Sequence, residues 1–246
     1  MRWLLVSDLH YALRQYDWVA EVAPDYDAVV IAGDMLDLRS AVPIPAQAVA
    51  ISAQLARIGS RGILAAASGN HDLDDRDGAG EKAALWLQRA RASGVHVDGD
   101  SLMVGGTLVS VHPWWDGPVG QQELEDRLVA EAALDKESWA WVYHAPPAGS
   151  RLAWDGRREY GDDVVSGWIE RFSPDFVFAG HIHQSPFTSD GGWAERVATT
   201  WLFNPGRQPG PVPAHIVLDL ELGSATWSSI EGQESVELFP DATLAG

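Results

Sequence analysis

Five short apolar runs in this chain each stop at a cluster of Gly, Asp, Asn or His. Residues 2–7 run into Asp8-Leu9-His10, and residues 27–32 into Gly33-Asp34-Met35-Leu36-Asp37. Residues 62–68 run into Gly69-Asn70-His71-Asp72, residues 139–143 into His144, and residues 175–179 into Gly180-His181-Ile182-His183. A run such as Ala28-Val29-Val30-Ile31, apolar at every position, suits a strand covered on both faces. Strands of that kind need helices around them, and helical patterns lie between the runs at residues 15–22 and 45–58. Pro45 fits a first helical turn and Gly59 a helix stop. In α/β folds the reacting groups gather in the loops beyond strand ends. The chain has eight histidines, and His10, His71, His144, His181 and His183 all fall in these clusters. Imidazoles and carboxylates converging on one sheet edge suit a borderline or hard divalent metal.

The middle of the chain changes character. Residues 80–92 read as a helix ended by Gly94, and residues 95–97, 102–104 and 107–112 as short strands of a meander separated by Gly and Asp turns. Helices over residues 121–134 and 162–172 and strands over 199–203, 215–220 and 225–229 follow. Alternation of strands and helices together with a meander predicts two sheets, one fed by each half of the chain, with helices outside them. One domain over residues 1–246 is expected, with residues 233–246 as a loosely ordered acidic tail.

Composition removes several classes of function. No cysteine is present, so disulfides and thiolate metal sites are excluded. The net charge of −18 disfavours a nucleic-acid polymer and an anionic membrane surface as partners. The apolar stretch before Asp8 is too short for a signal peptide, and no run of about 18 apolar residues suggests a membrane span. A cytoplasmic location is the resulting expectation.

The spacing of the clusters carries chemistry. Asp8 and His10, two residues apart at a strand end, point the same way and can reach one ion, and His181 and His183 repeat the spacing. Gly33 lets the backbone turn tightly before Asp34, as Gly69 does before Asn70. A carboxylate has two oxygens and can bridge two metals, whereas an amide oxygen or a neutral imidazole nitrogen binds one. The economical arrangement is two ions sharing Asp34, about 3.5–4 Å apart as in other two-metal hydrolytic sites.

These blocks (D-x-H, G-D-x-x-D, G-N-H-D, a lone His and G-H-x-H, in that order from Asp8 to His183) resemble the calcineurin-like metallophosphoesterase superfamily. The resemblance implies a four-layer α-β-β-α sandwich with two central mixed sheets and the metal site at strand C-terminal ends. It implies one metal on Asp8, His10, Asp34 and His183, and a second on Asp34, Asn70, His144 and His181. It further implies in-line attack on a phosphoester by a hydroxide bridging the metals, with His71 as general acid and Asp37 orienting its imidazole. Two divalent or trivalent ions are expected, with Mn, Fe, Zn and Co all open because the donors are N and O only. His144-Ala145-Pro146-Pro147 and Asn204-Pro205-Gly206 are similar to a bacterial and animal branch of small cytoplasmic phosphodiesterases. A small phosphodiester is therefore the expected substrate, with a phosphomonoesterase, or a non-catalytic scaffold on the same fold, as alternatives.

Several residues remain open at this level. His112-Pro113-Trp114-Trp115 ends a strand with two large aromatics, and is either a packing loop or a substrate wall built from His112, Trp114 and Trp115. Asp72 is either a support for the ligands or a cap on the next segment. Arg151, Arg157 and Arg158 read as surface charges, and His96 and His215 as structural.

Overall fold

The computed structural model describes residues 1–239. β1 (Arg2–Val6), α1 (Leu13–Val22), β2 (Ala28–Ala32), α2 (Ile44–Gly59) and β3 (Ile63–Ala67) alternate strand and helix. A small hairpin, β4 (Asp75–Arg76) and β5 (Lys82–Ala83), then precedes α3 (Leu85–Gln88) and β6 (His96–Val97). β7 (Ser101–Val104), β8 (Thr107–Val111), α4 (Pro118–Ala132), β9 (Ser138–Val142), α5 (Asp163–Phe172) and β10 (Phe176–Phe178) follow. The chain closes with β11 (Ala194–Val197), β12 (Thr200–Phe203), β13 (His215–Asp219), β14 (Ser224–Ser229) and β15 (Gly232–Glu237).

The strands make two mixed sheets, ordered β15-β14-β13-β1-β2-β3-β6 and β11-β12-β10-β9-β8-β7. The central strands β1, β2, β3 and β6 pair in parallel, as do β8, β9, β10 and β12. Every residue of β2 and β8 is buried: β2 is apolar throughout, while the polar Thr107 and Ser110 of β8 meet the Ser138 hydroxyl and the Trp139 indole N–H. Small residues on the first sheet's inner face, Ala28, Ala32, Ala65 and Ala67, leave room for Phe176, Phe178 and Phe203 from the second. Trp3 meets Phe178 edge-on with ring centres 6.0 Å apart. α1, α2 and α3 cover the outer face of the first sheet, where Ile51, Leu55 and Trp86 are buried against Leu4, Val29 and Ile31. α4 and α5 cover the second, with Leu124, Leu128, Trp168 and Ile169 against Trp139, Trp141 and Val177. This is the four-layer α-β-β-α sandwich expected from the resemblance, and no helix among the described residues is long and apolar enough to cross a membrane.

Four expectations need correction. The sheets are not fed one by each half, because β13 returns to lie antiparallel to β1 and brings β14 and β15 with it. The meander over 95–112 is divided between the sheets: β6 pairs with β3, while β7 and β8 open the second sheet as a hairpin. Residues 80–92 are not one helix, since Asp77 accepts the N–H groups of Ala79 and Glu81 and turns the chain into the β4–β5 hairpin. α3 then lasts one turn before a tighter helix ends at Gly94, whose φ of 79° is left-handed. Gly232–Glu237 is an edge strand on β14 rather than loose tail, while residues 240–246 lie outside the described residues.

Candidate metal centre

The C-terminal ends of β1, β2, β3, β9 and β10 lie together at one edge of the two sheets, and their loops turn abruptly. Asp8, His10, Asp34 and His181 all have left-handed backbone angles, with φ of 54°, 41°, 53° and 68°. Such angles cost about 1–3 kcal/mol each in a residue with a side chain and persist only where the surroundings enforce them. The bonds that enforce them are visible. Asp8 N–H donates to the Gly33 carbonyl at 3.0 Å and His10 N–H to that of Asp34 at 3.0 Å, so the first two loops hold each other. The shared direction of Asp8 and His10 therefore comes from this left-handed turn and not from strand alternation.

The glycines make room for the side chains. A Cβ on Gly33 would strike the His144 ring, one on Gly69 the Asp34 carboxylate, and one on Gly180 would lie 2.6 Å from Asp8 Oδ2. Asp72 joins the second and third loops. Its buried carboxylate accepts N–H groups from Leu36 at 2.8 Å, Met35 at 2.9 Å and Gly69 at 2.8 Å. Of its two sequence readings, support of the ligand loops is the one it fulfils.

Two clusters result, with Asp34 in both. Asp8, His10, Asp34 and His183 form one, and Asp34, His144 and His181 the other. His183 Nε2 lies 3.1 Å and His10 Nε2 3.8 Å from Asp8 Oδ1, and His10 Nε2 is 3.6 Å from Asp34 Oδ2. His144 Nε2 is 3.3 Å from Asp34 Oδ2. His181 and His183 separate, one to each cluster, so their repeated spacing does not place them on one ion.

The donor set fits a cation. His10 Nε2 and His183 Nε2 face each other at 2.9 Å, which directs two ring nitrogens at one point. His144 Nε2, in the second cluster, and Asn70 Oδ1, in the loop after β3, are buried without a hydrogen-bond partner. An unpartnered buried acceptor costs about 1–3 kcal/mol, and a cation would relieve it. Burial opposes the charge of Asp8 and Asp34, but the surrounding imidazoles outweigh it, His183 foremost for Asp8 and His144 for Asp34, and hold both carboxyls below their ordinary range. Burial pushes His10 and His181 down to about 4, leaving them neutral as ligands must be.

His71 and Asp37 stand at the rim, in a third cluster with His10. His71 Nε2 lies 4.0 Å from Asp34 Oδ2, and its backbone N–H donates to Asp34 Oδ1 at 2.8 Å. The orienting bond on its ring differs from the expected one: Nδ1 accepts the Leu38 N–H, at 3.4 Å, while Asp37 accepts the Arg39 N–H at 2.8 Å. Trp114 lies beside the second cluster, 5.7 Å from the His144 ring and 5.3 Å from His181. His112 and Trp115 do not reach it. His112 is buried edge-on to Trp141, 5.9 Å away, because its strand position faces α4. Trp115 stacks on Tyr143 at 5.0 Å and meets Trp168 of α5. Arg151, Arg157 and Arg158 stay outside the clusters: the Arg151 guanidinium binds the Gly191 carbonyl, and Arg158 packs over Tyr160. His96 and His215 likewise remain in β6 and β13, with His215 against Trp18.

Solved structures with the same fold extend across this whole architecture. TT1561 of Thermus thermophilus superposes with a TM-score of 0.59 at 16% identity, over 96% of this chain and 98% of that one. The purple acid phosphatase PPD1 from yellow lupin seeds superposes with a TM-score of 0.56 at 13% identity, over 96% of this chain and 53% of that one. At such identities the likeness establishes the fold alone. No curated protein matches the sequence. The sequence model of the calcineurin-like phosphoesterases matches residues 1–185, which hold every residue of the clusters, and the chain belongs to that family.

Proposed function

We propose that the chain hydrolyses a small phosphodiester with the help of two metal ions. The observation that carries this reading is the membership of Asp34 in both ligand clusters. One ion would be held by Asp8, His10, Asp34 and His183, and the other by Asp34, Asn70, His144 and His181. Such a pair, when bound, supplies positive charge for the phosphoryl oxygens and acidifies water toward neutrality.

The chain's own residues do the rest. The His71 ring turns Nδ1 to the Leu38 N–H and Nε2 to Asp34. As an imidazolium it would be placed to protonate a departing ester oxygen and be left as the neutral ring. Trp114 walls the His144 and His181 side and gives an ester group an apolar face. A cavity opens on the opposite flank beside His183. Space beside His183 for a second ester group supports a diester over a monoester.

Hydrolysis of bis-p-nitrophenyl phosphate and p-nitrophenyl phosphate with added Mn²⁺ tests the reading. Preference for the diester, abolished in Asp34→Asn, is the expected result. Preference for the monoester moves the assignment to phosphatase, and inactivity on both despite bound metal favours a scaffold.

A further inference from the structure

The cavity beside His183 has a built lining that the ligand clusters do not explain. Its volume is about 450 Å³, and it is bounded by Gln15, His183, Phe187, Arg207 and Gln208 among others. Sites for small molecules start at about 300 Å³. The cavity therefore holds more than the phosphate that the clusters would engage.

The segment carrying Arg207 is held from three directions. Asn204 is buried, and its side chain donates to the Ile182 carbonyl at 3.0 Å and accepts the Gly206 N–H at 2.8 Å. The Arg207 N–H donates to the His183 carbonyl at 3.2 Å, so the segment is tied to the loop that presents a ligand. Gln15 of α1, itself buried, donates to the carbonyls of Gln208 and Gly210 at 3.0 and 3.1 Å. From β14 the Trp227 indole donates to the Pro205 carbonyl at 2.9 Å. Gly206, at φ +70°, passes so close to the ligand loop that a Cβ would lie 2.9 Å from the His183 carbonyl. The backbone from which Arg207 projects is thus fixed relative to His183.

The Arg207 side chain, by contrast, is exposed, and among the described residues its guanidinium makes neither a hydrogen bond nor an ion pair. The chain carries 35 acidic residues against 17 basic ones, so a structural partner would be easy to supply. A guanidinium fork matches the two oxygens of a carboxylate or phosphate.

We propose that this cavity is the subsite for a second anionic group on the substrate, a carboxylate or a further phosphate, and that Arg207 is the residue that binds it. The proposal rests on the phosphoester reading of the two clusters, which place the first phosphate. It narrows the substrate to a phosphoester carrying two negative groups separated by a short spacer. In a chain of net charge −18 such a substrate is repelled at long range, and a local cation on the entry flank offsets that repulsion.

Methylphosphonate and phosphonoacetate differ by one carboxylate and serve as probes. Their inhibition constants against bis-p-nitrophenyl phosphate, measured on the Mn²⁺-loaded protein, give a ratio for each variant. For the natural chain phosphonoacetate is expected to inhibit about tenfold better, the factor from one charge-assisted hydrogen bond. Arg207→Ala brings the ratio to about one, Arg207→Lys leaves an intermediate value, and the exposed Arg196→Ala leaves it unchanged. A ratio near one in the natural chain, or an unchanged ratio in Arg207→Ala, overturns the proposal. Calorimetric titration of the same two compounds reads the same ratio without turnover. Failure to hydrolyse the diester therefore counts against the phosphoesterase reading alone, and the ratio still decides the role of Arg207.

Discussion

His144 places its Nδ1 2.6 Å from the carbonyl oxygen of Ala32, the last residue of β2. A carbonyl only accepts, so Nδ1 carries a proton, and Nε2 is the nitrogen turned to Asp34 that an ion would take. One backbone contact between a strand of each sheet thereby sets the tautomer of a metal-ligand candidate and joins the two halves of the site.

That arrangement predicts a pH-dependent metal affinity. Burial disfavours charge on His144, yet Asp34, Asp8 and the Ala32 carbonyl push it up to about 9 in the metal-free chain. Below that pH an ion has to displace a proton, so affinity rises with pH by up to about tenfold per unit and levels off near 9. Mn²⁺ titrations at pH 6.5, 7.5 and 8.5 check the slope, and a flat response would contradict it.

Replacing Asp72 tests the support beneath the ligands. Its carboxylate is the acceptor for three backbone N–H groups from two loops. Asp72→Ala is expected to cost at least about 3 kcal/mol in urea unfolding at pH 8, above the value of about 7 to which burial and the Asp34 charge raise this carboxyl, since each bond to a charged group is worth about 1.5–3 kcal/mol. Metal affinity is expected to fall by about 10-fold to 100-fold with the ligands untouched.

His71→Ala separates chemistry from metal binding. The side chain belongs to neither of the clusters that share Asp34. Turnover is expected to drop by about 10²-fold to 10⁴-fold on an ester with a poor leaving group. The loss should shrink for p-nitrophenolate, which departs without a proton, and metal content should match that of the natural chain.

Two glycines make a matched pair. A Cβ on Gly69 would lie 2.6 Å from the Asp34 nitrogen and 2.7 Å from the His144 ring. Gly69→Ala is expected to abolish tight metal binding while leaving the sandwich folded by circular dichroism. Gly167, inside α5, has nothing within 4 Å of the equivalent position. Gly167→Ala is expected to raise stability by about 0.5–1 kcal/mol through helix propensity alone, without touching the metal.

Asp98 supplies a stability prediction with a defined sign. It is buried and accepts the Ser68 N–H at 2.8 Å, and burial pushes it from 3.8 up to about 6 against that bond. The folded chain therefore holds this proton longer than the unfolded chain. Its contribution to stability falls as pH rises from about 4 through about 6 and is constant above. Two pH units correspond to about 3 kcal/mol, at about 1.4 kcal/mol per unit. The difference between the natural chain and Asp98→Asn, measured by urea unfolding of metal-free protein at pH 4 to 7, should follow that course.

How much of this was legible in the sequence depended on whether the information was local. The strand runs, the glycines and the gathering of the Asp and His clusters at one edge were legible because a strand buried on both faces is apolar throughout, and a tight loop needs a small residue beside its polar side chains. α5 was legible to within a residue because Asp162 caps it, accepting the N–H groups of Val164 and Val165. β11 and β15 were not legible, since exposed edge strands such as Gln233-Glu234-Ser235 lack an apolar repeat. The exclusion of His112 was not legible either, because its direction depends on which face of β8 meets α4.

Local sequence by itself determined the class of fold, the order of the ligand blocks and the kind of atoms offered to a metal. Tertiary structure alone decided that His181 and His183 part company, that Asp34 stands between two clusters, that Asp72 binds the loops together, and that Arg207 lies beside His183 although 24 positions separate them. The physical reason is that a ligand's chemistry resides in its own side chain. Its position is set by backbone bonds between strands and loops distant in the sequence, and no local pattern encodes those bonds.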